Sequence, residues 1–139
     1  ELERLVENGF LTPEQGAAVQ PEKLVAFYRS PLGRAVERAP LCRQEFKFSV
    51  LVPAEDYRPG TEGEQVLLQG VIDCWFQDDS GVTVLDFKSD RLSPGQERSR
   101  GEEYRPQLEA YARSLSAILN RPVSRKVLWF FATDTAVEL

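Results

Sequence analysis

Gly70-Val71-Ile72-Asp73-Cys74-Trp75-Phe76, then Asp78-Asp79-Ser80-Gly81, then Val82-Thr83-Val84-Leu85-Asp86-Phe87-Lys88 reads as two strands joined by a tight turn. β-Branched and aromatic residues suit a pleated, half-buried surface, and Asp, Ser and Gly suit the reversal between them. Each strand carries an acid near its end, and the second adds a lysine two residues after its acid. Side chains alternate along a strand, so Asp86 and Lys88 share one face. Two acids and an ammonium converging on one spot suit a Mg²⁺ site, with Mn²⁺ as a substitute, that activates water against a phosphodiester. The plainer alternative is that both acids mark strand ends and that Lys88 is an ordinary ion-pair partner. Asp is disfavoured inside strands unless something uses it, which favours the metal reading.

Working outward, residues 41–52 show strand alternation, with Phe46, Phe48 and Val50 against Lys47, Ser49 and Leu51. Residues 53–63 read as an exposed loop, and residues 65–76 as a long strand. Residues 90–101 are polar and contain Pro94, Gly95 and Gly101, so a mobile loop is expected there. From Tyr104 to Leu119 the apolar positions Leu108, Tyr111, Ala112, Leu115 and Leu119 fall on one helical face, and Pro122 ends the helix. Residues 123–132 then form a final buried strand. The first forty residues read as a helical lead-in, with a capping signal at Thr12-Pro13 and helices over 21–29 and 31–38 after Gln20-Pro21 and Ser30-Pro31. Helices, three strands, a helix and a strand make an α+β fold: a mixed β-sheet flanked by helices, with the last strand parallel to an earlier one.

The chain has 139 residues, enough for one domain with a real core, and 42% of them are apolar. No apolar run is long enough to span a bilayer. Histidine is absent, which removes Ser-His-Asp triads, Cys-His pairs and histidine-ligated zinc. The net charge of −5 is unexpected for a stand-alone nucleic-acid binder, and less so for a module whose metal offsets its own acids. Cys42 and Cys74 lie in apolar strand patterns and read as buried free thiols, with a disulfide as the alternative. Trp75 and Trp129 read as core. Arg91, Arg98, Arg100 and Arg105 could steer a nucleic-acid strand, but the interleaved Glu97, Glu102 and Glu103 favour a solvated mixed-charge segment.

Four segments carry a family resemblance: Arg43-Gln44-Glu45-Phe46-Lys47-Phe48, Gln69-Gly70-Val71-Ile72-Asp73, Asp86-Phe87-Lys88-Ser89-Asp90, and Tyr104 with Gln107-Leu108-Glu109-Ala110-Tyr111. In this order they resemble the C-terminal nuclease domain of the AddAB/RecBCD helicase–nucleases, AddA-type above all, within the restriction-endonuclease-like PD-(D/E)xK superfamily. The resemblance covers residues 1–132.

It implies a restriction-endonuclease-like fold, one domain over 1–139 with a lead-in at 1–40 and a catalytic core at 41–132, and a piece excised from a longer helicase–nuclease chain. It implies metal ligation by Asp73, Asp86 and the backbone carbonyl of Phe87. Lys88 would hold the attacking water or stabilise charge on the phosphate. Glu45 would contribute to the metal site or orient Lys88. Gln107 and Tyr111, one helical turn apart, would contact the DNA backbone or support the metal ligands, with Tyr111 as ordinary core the rival. No chemistry is assigned to Ser89 or Asp90.

The family's metal-binding histidine lies upstream of these segments, so its absence implies an incomplete site in the isolated piece. The implied partners are a single DNA strand from a linear duplex end, upstream helicase domains and an AddB-type subunit, in the cytoplasm and away from membranes. The implied function is a Mg²⁺-dependent exonuclease in double-strand break repair and recombination. The alternatives are an inactive nuclease-like scaffold or DNA-binding module, and a stand-alone RecB-like exonuclease.

Overall fold

The computed structural model describes residues 21–56 and 58–139, so the Thr12-Pro13 signal lies outside the described residues. Among the described residues, helices α1 (Pro21–Arg29) and α2 (Pro31–Arg38) come first. Ser30 caps α2, accepting a hydrogen bond from the Gly33 amide, with Pro31 at the first helical position, as the sequence signal predicts. An α-carbon substituent on Gly33 would run into the Phe27 carbonyl oxygen, so glycine allows the two helices to meet.

Strands β1 (Leu41–Pro53), β2 (Gln65–Asp78) and β3 (Gly81–Lys88) follow as antiparallel neighbours, with a 3₁₀ turn at Ala54–Asp56. Helix α3 (Glu97–Leu119) crosses over to β4 (Val123–Phe130), which runs parallel to β3. Strand β5 (Thr135–Glu138) pairs antiparallel with β4, giving the sheet order β1-β2-β3-β4-β5. The sheet is mixed and the fold α+β, as expected. Residues 123–132 are not the final strand: β4 ends at Phe130, and a reversal around the positive-φ residue Asp134 returns the chain as β5.

The expected loop over 90–101 is also shorter. α3 begins at Glu97 and carries both Gly101 and Pro106. Pro and Gly disfavour helix interiors, but Gly101 is buried where a side chain would press on Val137 Cγ1 at 3.1 Å. Tight packing of α3 against the sheet thus overrides the local signal.

Two cores lie on opposite faces of the sheet. Helices α1 and α2 send Leu24, Phe27, Leu32 and Val36 against Phe76, Leu85, Phe87 and Trp129. Helix α3 sends Leu108 and Leu115 against Ile72, Trp75, Leu128 and Phe130 on the other face. The expected core roles of Trp75 and Trp129 hold, at 3% exposure each. No helix among the described residues is long and apolar enough to cross a membrane.

One departure from alternation positions the site. Ile72 packs on the α3 face, but Cys74, two residues on, packs on the α1 face. In β1, Cys42 joins the α1-side core, while Phe46 and Phe48 pack on the α3 side. Both strands change face where Glu45 stands across from Asp73, between the pairs Gln44–Cys74 and Phe46–Ile72. Glu45 absorbs the change with φ at 48°, a left-handed conformation costly for a side-chain-bearing residue.

Candidate active site

Pairing of β2 with β3 stops at Cys74–Leu85, although β2 runs on beside β1. Asp73, the first residue past that last pair, fills the opening: its Oδ2 accepts the Phe87 amide at 2.9 Å. A carboxylate therefore replaces a ladder carbonyl. Neighbouring residues of a strand point their amide and carbonyl groups to alternate sides. Lys88 uses its carbonyl toward β4, accepting from Phe131 N at 3.1 Å. Phe87 therefore turns its carbonyl toward Asp73, beyond the last β2–β3 pair. Its ring points into the first core, on the sheet face away from the Asp86 and Lys88 side chains, in edge contact with Phe27 at 5.0 Å and stacked on Phe131 at 5.5 Å. Burial of that ring fixes the orientation of Asp86 and Lys88, which flank it.

Asp86 and Lys88 lie on the α3 face, as alternation requires. Lys88 Nζ is 2.8 Å from Asp86 Oδ2 and donates to Gln107 Oε1 at 3.0 Å. A lysine ammonium only donates, so this contact sets the Gln107 amide with its oxygen toward Lys88. The amide nitrogen then donates to Tyr111 Oη at 3.0 Å. Tyr111 also packs edge-on against Phe48 at 5.8 Å, so it serves the core and the site together. Asp73, Asp86, Lys88, Gln107 and Tyr111 are thus joined in one continuous patch.

Burial, reinforced by the neighbouring Asp86 carboxylate, pushes Asp73 up to about 8 against the opposing pull of the Phe87 amide and Lys88. Burial, then the charge on Asp86, also raises Tyr111. Asp86 Oδ2 is buried without a hydrogen bond, since the Lys88 contact is close in charge but poorly directed. Two crowded carboxylates, one with a buried oxygen that has an ion pair to Lys88 but no hydrogen bond, fit a hard divalent cation. Mg²⁺ is held by one or two carboxylates and retains several waters. Among the described residues no third acid or cysteine joins them to form a metal-sized cluster.

Glu45 stands apart. It is exposed and makes no hydrogen bond or ion pair with the described residues, and the Lys88 ammonium is in contact with Asp86 and Gln107. The arginines after the motif are mostly paired: Arg100 with Asp90 and Glu103, Arg105 with Glu102, and Arg98 with the Glu138 carbonyl. The mixed-charge reading of that segment holds. Cys42 and Cys74 are free thiols with sulfurs 3.7 Å apart.

Sequence reasoning left Asp90 without a partner. Its Oδ2 accepts from Tyr104 Oη at 2.7 Å and from Arg100 at 2.9 Å. Arg100 and Tyr104 lie one helical turn apart, a signal hidden by ending the loop too late.

Residues 1–138 match the model of the PD-(D/E)XK nuclease superfamily. The chain is 39% identical over 135 residues to the A subunit of the ATP-dependent helicase/nuclease of Desulforudis audaxviator (strain MP104C), covering 95% of this chain and 11% of that protein. It is 33% identical over 148 residues to the protein of the same name from Clostridium novyi (strain NT), covering 100% of this chain and 12% of that one. The chain therefore spans about a tenth of the length of these relatives. A solved structure, that of SSO0001, shares the fold with a TM-score of 0.50 and 17% identity over 99% of this chain and 60% of its own. By its matched length and its relatives, the chain belongs to the PD-(D/E)XK nuclease superfamily.

Proposed function

We propose that this chain is the Mg²⁺-dependent exonuclease module of an AddA-type helicase–nuclease, degrading a single DNA strand delivered from a broken duplex end during recombinational repair. The observation that carries the reading is the meeting of Asp73, Asp86 and Lys88, with Asp86 Oδ2 buried and without a hydrogen bond. The proposed partners are helicase domains of the same polypeptide and an AddB-type subunit, supported by the names and lengths of the relatives.

Asp73, Asp86 and the Phe87 carbonyl would hold the cation. When bound, it would supply Lewis acidity at the phosphate and lower the pKa of a ligated water. Asp73 and Asp86 must both be ionised for that role, so the proton held near Asp73 leaves first. Lys88, fixed by Asp86 and Gln107, sets a positive charge where charge develops on the phosphate or its attacking water. Gln107 orients that ammonium, and Tyr111 orients Gln107. Glu45, on the exposed rim across from Asp73, is assigned to the metal site rather than to the orientation of Lys88.

The test uses the full-length polypeptide on linear single-stranded DNA, with Lys88→Ala and Asp86→Asn beside wild type. Mg²⁺-dependent degradation by wild type, lost in both variants with melting behaviour retained, is the expected result. Undiminished cleavage by Lys88→Ala sinks the assignment. No cleavage by a folded wild type favours the scaffold reading.

A further inference from the structure

Lys88 has a third neighbour, of a different kind. Its Nζ sits 4.0 Å from the centroid of the Tyr104 ring. The ammonium is thus enclosed by a carboxylate at 2.8 Å, an amide oxygen at 3.0 Å and an aromatic face. Only 15% of the lysine side chain is exposed. The ring is itself held from its far edge: Tyr104 Oη donates to Asp90 at 2.7 Å, and Arg100 grips the same carboxylate oxygen at 2.9 Å while pairing with Glu103. Burial, with Asp90 as partner, pushes the Tyr104 hydroxyl up to about 12, so it remains a neutral donor.

We infer that Tyr104 is the positioning residue of Lys88, its ring face holding the ammonium in place under the control of an Asp90–Arg100 anchor. This inference rests on the reading of Lys88 as catalytic. The chemistry favours a ring over a third oxygen. An aromatic face attracts a cation through its quadrupole but offers no lone pair. The ammonium therefore stays centred while one N–H remains free to turn toward a phosphate or water oxygen. A carboxylate there would compete with that oxygen, and an aliphatic residue would let the four-carbon stem swing. The hydroxyl, donating to Asp90, pins the ring from outside the site.

The geometry also explains why α3 begins before the expected start. Arg100 and Tyr104 occupy its first two turns, so the early start of the helix brings the anchor to Asp90 and the ring to Lys88.

The experiment replaces Tyr104 in the full-length polypeptide with phenylalanine and then with phenylalanines of increasing ring fluorination, which drain the π face at nearly constant shape. Lys88→Ala serves as the reference, and cleavage of linear single-stranded DNA is followed at saturating Mg²⁺. Tyr104→Phe keeps the ring face but loses the Asp90 anchor, so its kcat is expected to fall by about threefold to tenfold, and it serves as the parent of the fluorinated series. Across the fluorinated series kcat should fall stepwise by about tenfold in all, as expected for a partly desolvated cation–π contact. KM for DNA and Mn²⁺ affinity should not change. A flat kcat across the series, with Lys88→Ala inactive, overturns this inference and leaves the nuclease reading standing. Cleavage by Lys88→Ala at the wild-type rate, or no cleavage by wild type, overturns both. A loss expressed in KM or metal affinity alone would make Tyr104 a binding or structural residue and refute its positioning role.

Discussion

Metal binding by this chain should depend steeply on pH, because Asp73 is pushed to about 8 by burial and by Asp86. A cation that takes both carboxylates must displace one proton wherever the pH lies below that value. At pH 8 about half the sites hold the proton, and at pH 6 about 99% do. The apparent dissociation constant should therefore rise about fifty-fold between pH 8 and pH 6, close to tenfold for each unit well below 8. Mn²⁺ titration followed by the electron paramagnetic resonance signal of the free ion reads this directly. Asp73→Asn should bind more weakly and lose most of the pH dependence.

The same carboxyl ionises near 3.8 in the unfolded chain. In the metal-free protein between about pH 4 and 8, the folded state therefore holds a proton that the unfolded state lacks. Its contribution to stability is full below about pH 4 and declines as pH rises through about 8, by at most about 1.4 kcal/mol per unit. Thermal stabilisation by the cation should consequently grow from pH 6 to pH 8. A dissociation constant that changes less than about threefold over that range, in folded protein, would refute the shared-proton account of the site.

Phe27→Ala should cost about 3–5 kcal/mol in chemical denaturation, since the fully buried ring braces both Phe87 and Trp129. Gly101→Leu should destabilise by about 1–3 kcal/mol, because even a Cβ there meets Val137 at 3.1 Å. Glu45→Gly should leave stability unchanged or raise it by up to about 1 kcal/mol, and Glu45→Val should lower it, since φ at 48° suits only the first. Cys42, drawn down to about 7 by its contact with Cys74, should be alkylated by iodoacetamide near pH 7.5 while the buried, raised Cys74 reacts only on unfolding. Equal labelling of the two thiols, read by peptide mass spectrometry, would contradict that placement.

The hairpin from Gly70 to Lys88 was legible because its information is local. β-Branched and aromatic runs around an Asp-Asp-Ser-Gly reversal specify strands and turn, and strict alternation places Asp86 and Lys88 together. Helices α1 and α2 were legible for the same reason, each opening on a proline after a polar residue. The start of α3 was not. Gly101 and Pro106 argue locally against a helix, and only the approach of α3 to β5 explains the glycine. Strand β5 was missed because four residues, Thr135–Glu138, carry too little pattern to stand out. It exists by pairing with β4 and burying Val137.

The change of face at Glu45 and Asp73 was also invisible to a period-two reading, and it bears most directly on function. With unbroken alternation, Ile72 and Cys74 would lie on one face and Asp73 would stand out from the other. Instead the switch leaves Ile72 beneath α3 and Cys74 beneath α1, and frees the Asp73 carboxylate to turn along the sheet into the gap where β2 leaves β3. That gap is what opens the Phe87 carbonyl and brings the two acids together. The left-handed backbone at Glu45 is consequently strain maintained by the packing on either side of it, Cys42 on one face and Phe46 on the other. Glu45 thus affects the site through the backbone whether or not its carboxylate touches a ligand, so Glu45→Gly and Glu45→Gln separate the two contributions. Loss of cleavage in Glu45→Gln would show that the carboxylate itself serves the site. Retained cleavage in Glu45→Gln would assign the position to geometry alone.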